Sequence, residues 1–303
     1  MALSLLNVLS IVLYIQCFAG ITVNLIIAAA SINKWKTQNF FLTCDKILSC
    51  LVISRSLSIF NVFMVNFLYQ FYPWIIQNFV VKAALLTNGI FLHYTDLWFA
   101  TVLFVFYCVK ITSYNWKFFI ILKTKISILV PWFLLASLII AISSSLPFGL
   151  YLYDLSFQDA LNSSEELISE NKVSKVENLY SQSLIVLAGS YPPFIIFMVA
   201  NCLLVCSLWM HTRRMRSSGS KFRSPNLECH VSAVKNMSFF LVLQMIYFLY
   251  INLLYSGSLR NNAELRAVSL IIICSLPFFH SLYMICSCRE IKKALVLLWS
   301  SLF

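Results

Sequence analysis

Two residues of this chain raise a chemical question before any other. Arg55 stands inside LVISRSLSIF, residues 51–60, and Asp96 inside HYTDLWFAT, residues 93–101. Both stretches are otherwise apolar or carry small hydroxyls. An arginine is a permanent cation with five donors, and an ionised aspartate is an acceptor only. A lone charge at the centre of a bilayer costs at least ~2.5–3.5 kcal/mol. Each should therefore face a protein interior and find a partner, and each is the other's natural one. His93, three residues before Asp96, adds a neutral imidazole that needs a hydrogen bond. No catalytic or metal set forms around them. Of the four histidines, His211 and His230 lie beside basic segments, leaving His93, Asp96 and His280, which is incomplete for zinc. Neither an enzyme nor a cofactor or metal protein is expected.

The elements that hold these residues follow from composition. The 303-residue chain is 60% hydrophobic and only 11% charged, against about 25% charged in soluble domains. Its net charge of +11 is spread over short segments between apolar runs, which argues against a nucleic-acid groove. A membrane span needs roughly 20 apolar residues. Seven runs qualify, at about 3–32, 46–70, 83–110, 126–150, 183–210, 236–256 and 266–288. The reading is an all-α membrane protein, a bundle of seven transmembrane helices forming one domain over residues 1–303. The first run is too long for a signal-peptide core and lacks a basic segment before it, so it counts as a span.

Basic residues orient the bundle. Lys34 and Lys36, then Lys117, Lys123 and Lys125, then Arg213 to Arg223, then Arg289, Lys292 and Lys293 mark alternate connections as internal. The acidic stretch 151–182 falls outside, with the N-terminus outside and the C-terminus inside. Asn162-Ser163-Ser164 is a glycosylation sequon in that outer stretch. All ten cysteines fall in spans or on the inner side, so an outer disulfide is not expected.

Depth then pairs the charges. Arg55 lies ten residues past Asp45, roughly 15 Å into the second span. Asp96 lies fourteen residues before Lys110, roughly 21 Å from the same side. An Arg55–Asp96 ion pair between spans two and three is expected, with Asn24 and Ser281 as further partners. It serves either as a switch between states or as a fixed polar clamp, and the residues leave both open.

The same stretches carry a resemblance. LVISRSLSIF is similar to the second-span motif of the bitter taste receptors, the type-two taste receptors among G-protein-coupled receptors, through Leu51, Ser54, Arg55, Leu57 and Phe60. WFATVLFVFYCVKI, 98–111, resembles their third-span signature through Trp98, Ala100, Thr101, Phe106, Tyr107, Lys110 and Ile111. The fifth span matches through Pro193, Phe194, Leu203, Leu204, Ser207, Leu208, His211 and Met215; the sixth through His230, Ala233 and Lys235; the seventh through His280 and Ser281. The chain departs from the pattern at Gly89, where a tryptophan is usual nearby. It departs again at His93, near an asparagine-rich stretch, and in the seventh span, where an asparagine is missing. Asp96 lies outside the pattern.

The resemblance implies a plasma-membrane receptor that binds small bitter-type tastants in an outward-facing pocket and activates a gustducin-like or inhibitory heterotrimeric G protein. The outer half of span three offers Leu86, Gly89, Ile90, His93 and Tyr94 to such a pocket, spaced by three and four on one face. Spans six and seven offer Tyr247, Tyr250, Asn252 and Ile273. The small Gly89 is expected to enlarge its floor. At the inner end Tyr107, Lys110, His211, Arg214, Arg216, His230 and Lys235 form a mostly basic rim suited to a G-protein α subunit. Anionic lipid contact would also account for many of those charges. The rival receptor reading, a vomeronasal-like chemoreceptor, would be favoured by an outer-loop cysteine bridge that this chain cannot make. A transporter would need a polar path, and Asn24, Arg55 and Asp96 make a thin one. A retinal protein would need a lysine within 266–288, where there is none.

Overall fold

The computed structural model describes residues 2–38, 43–111, 117–162, 171–217, 225–256, 259 and 262–287. The helices run α1 (Ala2–Gln38), α2 (Thr43–Phe71), α3 (Pro73–Gln77), α4 (Phe79–Ile111), α5 (Lys117–Asn162), α6 (Asn171–Ser217), α7 (Pro225–Tyr255) and α8 (Ala263–Ser287). All but the short α3 are long and apolar enough to cross a membrane, giving a seven-helix bundle. Each matches one of the seven runs expected from the sequence.

The break between α2 and α4 follows local chemistry. Pro73 opens α3, where its missing N–H costs nothing. The Asn78 side chain accepts the Val80 N–H at 3.0 Å and starts α4. Asn262 does the same for α8 through Leu265 N–H at 3.0 Å. Within the acidic stretch 151–182, expected as a connection between spans, the described residues are helical. α5 continues to Asn162 and α6 begins at Asn171. The reason is propensity: neither 151–162 nor 171–188 contains glycine or proline, so each helix extends beyond its apolar run.

α4 is the hub. It packs on α2, α5 and α6, while α1 and α7 flank α8 and close the ring. Of its most apolar stretch 83% is buried, against 28–44% for the other spans. The main core joins Phe99, Leu103 and Phe104 of α4 with Ile47 and Leu51 of α2, Ile126 of α5, Phe197 and Leu204 of α6, and Phe240 of α7. The opposite surface is apolar too: Phe18 is 76% exposed, Ile128 72% and Trp132 67%. Exposed large apolar side chains on each of the seven long helices are what hydrocarbon, not water, accommodates.

Candidate functional site

One set of buried polar residues gathers where α2, α4, α7 and α8 meet. Ser54 and Ser58, one turn apart on α2, both donate to Asp96: Ser54 to Oδ1, and Ser58 to Oδ2 at 3.2 Å. Arg55 Nη1 donates instead to His280 Nδ1 of α8 at 2.7 Å. The His280 ring in turn packs edge-on against Phe240, with centroids 4.1 Å apart, and the Arg55 guanidinium lies 5.7 Å from the centre of the same ring.

The expected direct Arg55–Asp96 ion pair is therefore replaced by two separate sets of bonds, although both charges line one small cavity with Gln244, Tyr247 and His280. Arg55 and Asp96 do share one layer of the bundle, as the bonds from Ser54 and Ser58 to Asp96 show. Direction was the missing variable. Successive helical residues are turned by about 100°, so the serines face α4 while Arg55 faces α8. Asn24 and Ser281 are likewise not partners of Arg55. Ser281 Oγ donates to Asn24 Oδ1 at 2.6 Å, tying α8 to α1.

A second cavity lies beside the first and shares Tyr247 and Pro277 with it. Ser58, Asn61, Gly89, His93, Tyr255 and Ile273 are among its walls. Each cavity has a free volume of about 20 Å³ for the centre of a water molecule, room for a single water. Ser58 joins the two, lining the second while donating to Asp96 in the first.

Of the pocket residues expected from the sequence, Gly89, His93, Tyr247 and Ile273 meet at this cavity. Ile90 and Tyr94 do not; they are fully buried against Ala141, Phe148 and Val186, with Leu86 packed alongside. The two rows of α4 sit side by side, one turned to the bundle interior and the other to α5 and α6. Tyr250 is half-buried in the α7–α8 contact. Asn252 is held by its Nδ2 donating to Phe248 O at 2.7 Å, with Oδ1 unpartnered. Gly89 does not enlarge the floor. The Tyr255 hydroxyl fills the space where a side chain would stand, and Asn61 Nδ2 lies 3.0 Å from that point.

Sequence reasoning missed Ser54, Ser58 and His280 as partners of the charges, and Asn61 and Tyr255 as cavity residues. His280 was accessible to it, since an ionisable group inside a span is a functional candidate by default. Tyr255 was not, because nothing in its neighbourhood in sequence points to Gly89.

At the other end of α4, Tyr107 Oη lies 2.9 Å from Cys44 Sγ of α2. Lys110 and Lys235 are exposed. The side chains of His211, Arg214, Arg216, His230 and Asn162 lie outside the described residues.

The profile of the family described as Taste receptor protein (TAS2R) matches residues 1–302. The chain belongs to that family. The human "Taste receptor type 2 member 2" is 32% identical over 251 residues, covering 82% of this chain and 81% of the relative. The gorilla "Taste receptor type 2 member 8" is 30% identical over 293 residues, covering 96% and 94%. The mouse "Taste receptor type 2 member 39" is 29% identical over 231 residues, covering 76% and 72%. The receptor is thus a G-protein-coupled chemosensory protein of the plasma membrane, crossing it seven times, and not an enzyme.

Proposed function

We propose that the whole chain, residues 1–303, is a single receptor domain that admits small bitter-type molecules to the cavity at Gly89, His93, Tyr247 and Ile273. Occupation of that cavity is passed to a gustducin-like or inhibitory heterotrimeric G protein at the opposite end. The observation that carries the reading is the sharing of Tyr247 and Pro277 by two adjacent cavities, with Ser58 bridging them. A ligand in one touches Ser58, which donates to Asp96 in the other. If the Asp96 and Arg55 bonds differ between two bundle arrangements, a ligand that prefers one arrangement shifts the balance. On this reading Arg55, Asp96, Asn24 and Ser281 belong to the interhelical switch.

The orientation has the N-terminus outside and the C-terminus inside. The Lys and Arg clusters of alternate connections support it. Asn162 then lies outside as a glycosylation site. Tyr107, Lys110, His211, Arg214, Arg216, His230 and Lys235 form the inner face for the α subunit.

The test is a calcium or cAMP assay in cells expressing the receptor with a gustducin-like or inhibitory α subunit, challenged with a broad panel of bitter compounds. The expected result is a dose-dependent response that needs the G protein and shifts on Ile273→Ala and Tyr247→Ala. No response despite surface expression, or one indifferent to both substitutions, would overturn the proposal.

A further inference from the structure

His93 has one ring nitrogen engaged and one bare. It is buried, 1% exposed. Its Nε2 lies 3.3 Å from Ser190 Oγ of α6. Ser190 Oγ already donates to Val186 O at the shorter distance of 2.8 Å. A hydroxyl has one proton to give, so at His93 Ser190 acts as the acceptor. The imidazole proton therefore sits on Nε2, and Nδ1 keeps its lone pair. That Nδ1 is buried and has no partner. A buried acceptor left unpaired is unfavourable, and the ring lines the cavity beside Gly89.

The rest of the cavity narrows what could satisfy it. Ile59, Val62, Ile251, Ile273 and Pro277 supply apolar wall, and none of the lining residues carries a formal charge. Such a wall favours an uncharged molecule with few polar atoms. The free volume of about 20 Å³ holds one water, so a larger guest must displace a side chain. Tyr255, the last residue of α7, fills the space beside Gly89 with its hydroxyl end.

We propose that this cavity selects small, uncharged, largely apolar molecules bearing a hydrogen-bond donor, a phenol, an alcohol or an N-unsubstituted amide, whose O–H or N–H is accepted by His93 Nδ1. The proposal rests on the reading of this cavity as the ligand site.

Matched probes test it. 4-Ethylphenol is compared with 4-ethylanisole, and caprolactam with N-methylcaprolactam, in the cell assay with surface expression measured alongside. One hydrogen bond to a buried, otherwise unpaired acceptor corresponds to about tenfold in potency. The donor-bearing member of each pair should act at about tenfold lower concentration. His93→Phe should remove that difference. Ser190→Ala is the second variant. It frees Nε2, lets the proton move to Nδ1, and should shrink the preference without deleting the ring. Equal potencies in the unaltered receptor, as when Nδ1 merely holds a resident water, overturn the proposal. So does silence toward both members of both pairs at normal surface level. If His93→Phe shifts both members equally, the donor assignment fails while the ligand site stands. If Ile273→Ala leaves every response unmoved, the site itself fails.

Discussion

Replacing Gly189 by alanine should destabilise the receptor, although alanine is the better helix former. Gly189 lies within α6. In an open helix position the change would gain about 0.8–1 kcal/mol. Here the added methyl would stand 2.8 Å from Cε2 of Tyr94, and closer still to the end of that ring. Tyr94 cannot retreat, because it is fully buried among Ile90, Ala141, Phe148 and Val186. Forcing an extra carbon into such packing costs about 1–3 kcal/mol. A displaced ring also loses the bond from Tyr94 Oη to Val186 O, 3.2 Å long, worth about 1 kcal/mol. The propensity gain offsets only part of this, leaving a net loss of roughly 1–3 kcal/mol. The assay is thermal unfolding of detergent-purified receptor, run as a double-mutant cycle with Tyr94→Leu. In the Tyr94→Leu background Gly189→Ala should become neutral or stabilising, because the ring it strikes is gone. An unchanged or raised unfolding temperature for Gly189→Ala alone would refute the packing argument. A selective change of ligand potency in Tyr94→Leu at normal surface level would show that Tyr94 serves the pocket after all.

Further outcomes follow from the same contacts. Gly89→Ala also meets a tyrosine, but the atom struck is the hydroxyl end of Tyr255; it should lower the unfolding temperature less than Gly189→Ala, and Tyr255→Phe should relieve the loss. Arg55→Ala and His280→Ala should show a coupling of about 1.5–3 kcal/mol in a stability cycle, the range for a hydrogen bond to a charged group; a coupling near zero would mean that their 2.7 Å contact carries no weight. Asn162→Gln should remove the mass released by an N-glycosidase from receptor made in mammalian cells, and unaltered electrophoretic mobility would refute Asn162 as a glycosylation site.

Much of this protein was set by its sequence alone. A chain 60% hydrophobic and 11% charged must cross a membrane, because hydrocarbon tolerates apolar helices whose backbone bonds are internal. The seven runs, the motifs around Arg55 and Lys110, and the common depth of Arg55 and Asp96 are linear properties. Length, composition and rise per residue suffice to read them. Their partners are not linear properties. Ser54 and Arg55 are neighbours in sequence, yet one bonds to α4 and the other to α8, because adjacent helical residues point about 100° apart. The rotation of a helix about its own axis is fixed only when neighbours pack against it. Leu86, Ile90 and Tyr94 read as one face with Gly89 and His93, yet packing against α5 and α6 divides that face into two rows. Gly89 shows the limit most directly. Its missing side chain suggests space, and the tertiary structure fills that space with Tyr255, a residue 166 positions away.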